Sequence, residues 1–125
     1  MKPKVFISFD FDNDLSQKNL LVAQAKLQQT PFSISDYSIK QEIDSNWQKE
    51  AKHKISQCDF VIVLCGRNTH NARGVTDEIE ITRSIGKKYY LLNAYGSGNV
   101  TKPKGISPFE QILDWNWDNL EEILA

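Results

Sequence analysis

The chain has 125 residues, of which 40% are hydrophobic and 25% charged, with a formal net charge of -1. This length predicts one domain over residues 1–125, large enough to bury a core without disulfides or a structural metal. Scattered lysines among acids argue against a nucleic-acid partner. No apolar run is long enough for a membrane span and no signal peptide opens the chain, so we expect a cytoplasmic protein with no membrane partner.

The chain begins with a strand followed by a helix. Residues 5–9 are β-branched and aromatic, and residues 10–14 bring turn formers, as at the end of a buried strand. Asp14 and Gln17 have the spacing of a capping box. Apolar residues then recur at helical spacing, at Leu20, Ala23 and Leu27.

An edge strand and a second helix come next. Residues 31–36 alternate apolar and polar side chains after a break at Thr30-Pro31, which is typical of a short strand near a sheet edge. A polar loop over residues 38–44 precedes a second capping box at Ser45 and Gln48. One face of the helix that follows is formed by Trp47, Ala51 and Ile55.

Residues 60–64 carry the best evidence for the fold class. They are apolar without alternation, which indicates burial on both faces, as in a central strand of a parallel sheet. Strands alternate with helices along the chain, so we predict an α/β fold with an open, doubly wound parallel sheet of four to five strands and helices on both faces. Ligands bind beyond the carboxyl ends of such strands.

The second half of the chain continues the alternation. A helix is predicted over residues 76–85, with Gly86 at its end and an apolar stripe at Val75, Ile79, Thr82 and Ile85. Residues 89–92 give a fourth strand. A long loop over residues 93–108 precedes a short strand or turn at residues 109–115 and a final helix at residues 119–124.

Polar segments follow the predicted strands at residues 8–12, 36–40, 65–73 and 93–99, and these are the candidate site loops. Asp10 and Asp12 could bind magnesium or ribose hydroxyls, or simply form the turn. The two histidines and two cysteines lack zinc-ligand spacing, so no metal is expected. The residue types permit a nucleophilic pair of Cys65 and His70, but nothing in the sequence indicates one.

Glu78 is a stronger candidate for a catalytic residue than the aspartates, cysteines and histidines of the loops. It lies beside the apolar stripe of the predicted helix, in what would be the first turn, facing the strand ends. The positive end of the helix dipole favours a carboxylate at that position. The alternative is that Glu78 only complements the dipole, with no part in chemistry.

Three stretches together carry a family resemblance: residues 4–9, residues 36–47, and Val75, Glu78 and Ile79 ahead of Gly86. In order and spacing they resemble the bacterial TIR-like domain family, in particular the TIR component of Thoeris anti-phage systems. The resemblance implies a flavodoxin-like sheet and an NAD glycohydrolase or ADP-ribosyl cyclase. NAD would be a substrate, with no cofactor. An ADP-ribose-derived, often cyclic, signal would activate a downstream effector, and the protein would have the capacity to form homo-oligomers.

The resemblance also implies roles for individual residues. Glu78 matches the catalytic glutamate of TIR enzymes. The implied substrate contacts are Phe6, Ser8, Phe9 and Asp10 at the first strand end, Asp36 in the second candidate loop, and Asn99 after the fourth strand. The sequence departs from the TIR pattern around Arg73-Gly74, where a tryptophan usually precedes the catalytic helix, and in being short after Leu92.

Three other functions are compared with this interpretation. The same fold would serve a non-catalytic adaptor that recruits partners through its surface. A phosphoacceptor receiver would need an aspartate at the end of the central strand, where this chain has Cys65-Gly66. A nucleoside deoxyribosyltransferase-like enzyme would use Glu78 as a nucleophile on the same kind of bond.

Overall fold

The computed structural model describes residues 4–10, 12–26, 33–37, 47–96, 98–107 and 109–123. Strands and helices alternate along these ranges. In chain order they are β1 (Lys4–Ser8), α1 (Leu15–Ala25), β2 (Ser33–Tyr37), α2 (Trp47–Ser56), β3 (Phe60–Cys65), α3 (Arg73–Ser84), β4 (Lys88–Asn93), β5 (Ile112–Leu113) and α4 (Trp117–Ile123). A short 3₁₀ turn, Thr69–Asn71, lies between β3 and α3.

The sheet has the strand order β2-β1-β3-β4-β5, and each neighbouring pair is parallel. This order is that of a flavodoxin-like sheet, in which the chain reverses its direction of winding between β1 and β3. It confirms the predicted doubly wound parallel sheet and the edge position of the second strand. At the reversal, Ser8 of β1 is in register with Val63 of β3, so their carboxyl ends border the crevice where ligands bind in such folds.

Alternation along β1 assigns its side chains to two cores. Ile7 packs in the core that contains Leu21 of α1 and Leu120 of α4. Phe6 packs in the core that contains Ile55 of α2 and residues of α3. Because successive side chains of a strand point to opposite faces, Ser8 shares the face of Phe6. The α2/α3 face is therefore the one on which a helix residue can reach Ser8.

The central strand is as the sequence predicts. All six residues of β3 are buried, and β1 and β4 pair with its two sides. Helix α3 is correctly predicted but begins at Arg73, three residues earlier than expected. It ends before Gly86, whose φ of 73° lies in the left-handed region that glycine adopts without strain.

The apolar residues that recur at helical spacing in the first helix do not mark its buried face. Leu20 is 60% exposed, whereas its neighbour Leu21 is fully buried. The buried stripe of α1 is formed by Lys18 and Leu21, with Ala25 packed beside the same core. Leu27 and the second predicted capping box, at Ser45, lie outside the described residues.

The tail adds a short fifth strand and a helix. β5 pairs with β4 through Leu91 and Leu92, within the segment where a strand or turn was expected. Helix α4 begins at Trp117, two residues earlier than predicted, and buries Leu120. Among the described helices, none combines the length and apolar character that a bilayer crossing requires.

Leu64→Ala should destabilise the protein by about 2–5 kcal/mol, because it opens a cavity in a strand buried on both faces. Leu15→Ala is the matched control, since Leu15 is 44% exposed and its truncation should cost less than about 0.5 kcal/mol. Denaturant titrations of both variants measure the difference. Equal losses would contradict the assignment of β3 to the core.

Candidate active site

Glu78 and Ser8 meet inside the molecule at the end of β1. Both residues have no exposed surface. The Ser8 hydroxyl donates a hydrogen bond to Glu78 Oε1 at 2.8 Å. Helix α3 therefore contributes a carboxyl group to the carboxyl end of a strand next to the centre of the sheet, at the crevice between β1 and β3.

Local packing on α3 explains why Glu78 points inward. Val75, Ile79 and Thr82 are buried on the same helix, so Glu78 lies within the face that packs on the sheet. The Thr82 hydroxyl donates to the backbone oxygen of Glu78 at 2.7 Å. Because α3 begins at Arg73, Glu78 is in the second turn and not in the first, where the helix dipole acts most strongly.

A carboxyl group in this position is costly. Glutamate is almost never fully buried unless it is paired, because burial removes the water that solvates it. The Ser8 hydrogen bond offsets part of that cost. A buried carboxyl at the ligand-binding edge of a sheet is the kind of group that active sites retain at the expense of stability.

Asp10 organises the turn after β1. One carboxylate oxygen accepts a hydrogen bond from the Asp12 backbone at 3.1 Å, and the other accepts one from Asn13 Nδ2 at 2.7 Å. The Asp10 backbone oxygen also accepts a bond from the Asp14 backbone at 2.8 Å. These contacts match the turn-forming alternative for Asp10. Substrate binding by Asp10 stays a prediction.

Asp14 makes a contact that the sequence did not reveal. It makes no side-chain cap to α1. Instead, Oδ1 accepts a hydrogen bond from the Tyr95 hydroxyl at 2.9 Å, and Oδ2 lies so close to Gly66 that a Cβ there would be 2.2 Å away. Burial raises the pKa of Asp14, the Tyr95 hydrogen bond lowers it, and the Asp10 carboxylate raises it. The only sequence signal was the position of Tyr95 within a candidate loop.

The other predicted substrate contacts are placed on different parts of the sheet. Phe6 is buried on the α2/α3 face, in one core with residues of α3. Phe9 is buried on the opposite face, with the Lys18 ammonium 5.8 Å from its ring centre.

Asn99 is exposed in the loop after β4. Asp36 lies in β2 in register with Phe6, and its side chain is outside the described set. Ser8 and Glu78 touch each other, whereas Phe9 does not share their face.

Cys65 does not have the properties of a nucleophile. Burial raises the pKa of its thiol to about 12, the nearby Asp14 carboxylate adds to this, and Lys102 lowers it. His70 Nδ1 is hydrogen-bonded to Thr101 Oγ1 at 3.0 Å. Within the described ranges, no three side chains among histidine, cysteine, aspartate and glutamate come together as metal ligands would.

Comparison with known proteins identifies a family that the chain matches. A sequence-family model described as "Thoeris protein ThsB, TIR-like domain" matches residues 6–99, which is more than half of the chain. The matched span contains Ser8 and Glu78 and stops before β5 and α4. A search among curated proteins finds no match.

Asp14→Asn should change how stability depends on pH. Because the folded state raises the pKa of Asp14, the stability contributed by its protonated form is complete below the ordinary value of 3.8 and is lost as pH rises through the raised value. The amide keeps an acceptor for Tyr95 and cannot ionise. In denaturant titrations from acidic to neutral pH, the free energy of unfolding of the variant should therefore rise relative to that of the wild type as pH rises.

Asp12→Asn is the matched control for that series, because Asp12 is exposed in the same turn. Each variant removes one carboxylate from this turn, so a pH trend seen with Asp14→Asn and not with Asp12→Asn comes from the burial of Asp14. A stability difference between Asp14→Asn and the wild type that does not change with pH would contradict the burial of an ionisable Asp14.

Both cysteines should be unreactive in the folded protein. Cys58 and Cys65 are buried and are not joined in a disulfide, and thiol reagents attack the exposed thiolate. Ellman's reagent at mildly alkaline pH should release colour only after denaturant is added. Rapid reaction of one thiol in the native protein would contradict the burial of that cysteine.

Proposed function

The chain belongs to the TIR-like family of Thoeris ThsB proteins, and from this premise we propose that it cleaves the nicotinamide–ribose bond of NAD. Glu78 would be the catalytic residue, and NAD would be consumed as a substrate with no cofactor or metal. The observation that carries the proposal is the fully buried Glu78 carboxyl, held by Ser8 at the ligand-binding edge of the sheet.

One carboxyl group is enough for this chemistry. Ordinary glycosidases use two because the leaving oxygen needs a proton. The nicotinamide of NAD is already cationic and leaves as a neutral molecule. A single Glu78 carboxylate would stabilise the oxocarbenium-like ribose or hold its hydroxyl groups as the bond breaks.

Ser8 would act as a positioning residue for Glu78. Its hydroxyl fixes one of the two carboxyl oxygens at 2.8 Å, so the side chain stays at the end of β1. The predicted contacts Asp10, Asp36 and Asn99 follow or lie in strands of the same sheet. Their part in holding NAD stays with the proposal.

The second step of the reaction would decide the product. Attack of water on the ribose carbon gives ADP-ribose, whereas attack by a nucleophile of the same molecule gives a cyclic isomer. We propose the cyclic class, as a small-molecule signal to a downstream effector in anti-phage defence. The Thoeris family supports the defence setting.

Access to Glu78 requires a rearrangement. Its side chain has no exposed surface, so NAD reaches it only after the α2/α3 face opens at the end of β1. An enzyme built this way would be inactive at rest and would turn over NAD once infection or self-assembly opens the site.

The same enclosure favours one second candidate, a non-catalytic adaptor. In that case the Ser8 and Glu78 contact would serve only to tie β1 to α3. The two functions differ in whether any condition makes the protein release nicotinamide.

Glu78→Gln should reduce nicotinamide release from NAD by about 100-fold or more, because it removes the charge that stabilises the transition state. Chromatography with mass detection, with and without lysate from phage-infected cells, measures nicotinamide and the ADP-ribose product together. Glu80→Gln is the matched control, since Glu80 is on the same helix and exposed. It should keep wild-type turnover.

Wild-type protein that releases no nicotinamide and binds no NAD in every condition would overturn the enzyme in favour of the adaptor. Turnover that survives Glu78→Gln would move the catalytic role to another residue. Activity on free nucleosides in place of NAD would point to deoxyribosyltransferase-like chemistry.

A further inference from the structure

A cavity of about 410 Å³ opens on the face of the sheet opposite Glu78, between α1 and the segments that follow β4 and β5. Its walls include Leu20, Tyr95 and Trp115. Trp115 packs against the core of the α1/α4 face, whereas Glu78 lies among the buried residues of α3 on the other face. The cavity is wide open to solvent, and its volume, at the carboxyl end of a parallel sheet, is in the range of small-molecule sites.

The two aromatic rings of the cavity are fixed by hydrogen bonds. The Tyr95 hydroxyl donates to the buried Asp14 carboxyl at 2.9 Å. Trp115 Nε1 donates to Gln24 Oε1 on α1 at 2.8 Å, and the Trp115 backbone donates to the Gly96 oxygen at 2.8 Å. Rings held in this way are stacking surfaces that lose little freedom when a ligand binds.

The Tyr95 ring has one face for a ligand. The Arg67 guanidinium lies over the Tyr95 ring, 5.7 Å from its centre. Tyr95 is still 44% exposed. Leu20 adds an apolar wall that is 60% exposed. A flat ring that stacks on this wall would remove apolar surface from water.

The polar groups of the cavity limit the ligand further. Its described lining residues carry no charge, and Gln17 and Asn116 place carboxamides at its wall. No cation is among the described lining residues, and the charged groups that act on Tyr95 from beside it are two carboxylates, of Asp14 and Asp10, against the one guanidinium of Arg67. Carboxamides both donate and accept hydrogen bonds, as the edges of heterocyclic bases require. We propose that this cavity binds an uncharged planar heteroaromatic ring of the nucleobase class.

This site is independent of the NAD chemistry assigned to Glu78. It lies on the other face of the sheet and includes neither Glu78 nor Ser8. Glu78→Gln should therefore bind the ring as the wild type does. An inactive protein that still binds it would overturn the proposed enzyme and leave the cavity site standing.

Adenosine is the probe, because it carries a nucleobase without a phosphate. Titrated into ¹⁵N-labelled protein, it should shift the indole signal of Trp115 and the backbone signals of Tyr95 and Gly96 in a saturable way, while ribose shifts none of them. Leu20→Lys should weaken binding by about tenfold or more, because it replaces the apolar wall. Leu15→Lys is the matched control on the same helix and should bind as the wild type does.

Three results would overturn the proposal. Adenosine that causes no saturable shift at its solubility limit is the first. Shifts that survive Leu20→Lys, or that map to the surroundings of Ser8, would place the base elsewhere. Concentration-dependent self-association that Leu20→Lys abolishes, with no adenosine binding, would show that the cavity accepts a second copy of this chain.

Discussion

The hydrogen bond from Ser8 to Glu78 is the contact on which the site depends. It joins the end of β1 to helix α3 and holds a carboxyl group where neither residue has any exposed surface. Burial of such a group costs free energy that apolar packing at the same position would not. The fold supports this cost because β3, buried along its whole length, supplies the apolar core beside it. Everything proposed for Glu78 rests on that arrangement.

The sheet separates two regions at its carboxyl edge. Alternation along β1 puts Ser8 on the face of α2 and α3, where Glu78 meets it. The same alternation puts Phe9 on the face of α1 and α4, near the cavity that Tyr95 and Trp115 line. Asp14 lies at the same edge, against Gly66 just after β3, and accepts the hydrogen bond of the Tyr95 hydroxyl. One sheet edge thus carries a buried carboxyl on one side and an aromatic cavity on the other.

The sequence predicted the strands and the family because those signals are local. The unbroken apolar run of β3 and the stop at Gly86 each come from neighbouring residues, and the TIR-like resemblance is confirmed by the family match. The sequence failed where tertiary contacts decide. The choice of Leu21 over Leu20 depends on how α1 rotates against the sheet. The Asp14 to Tyr95 bond spans 81 positions and left no local pattern. The alternation of side chains along a strand is by itself enough to place Phe9 and Ser8 on opposite faces of the sheet.

The most direct test of whether Glu78 is kept for chemistry is the free energy of unfolding of the double variant Ser8→Ala/Glu78→Met. Replacing both partners of this hydrogen bond with apolar groups of similar size leaves neither of the two as a buried polar group without the other. If the carboxyl is retained for function at the expense of stability, the double variant should be as stable as the wild type or more stable. A loss of more than about 2 kcal/mol would contradict this account and make Glu78 a structural tie between β1 and α3.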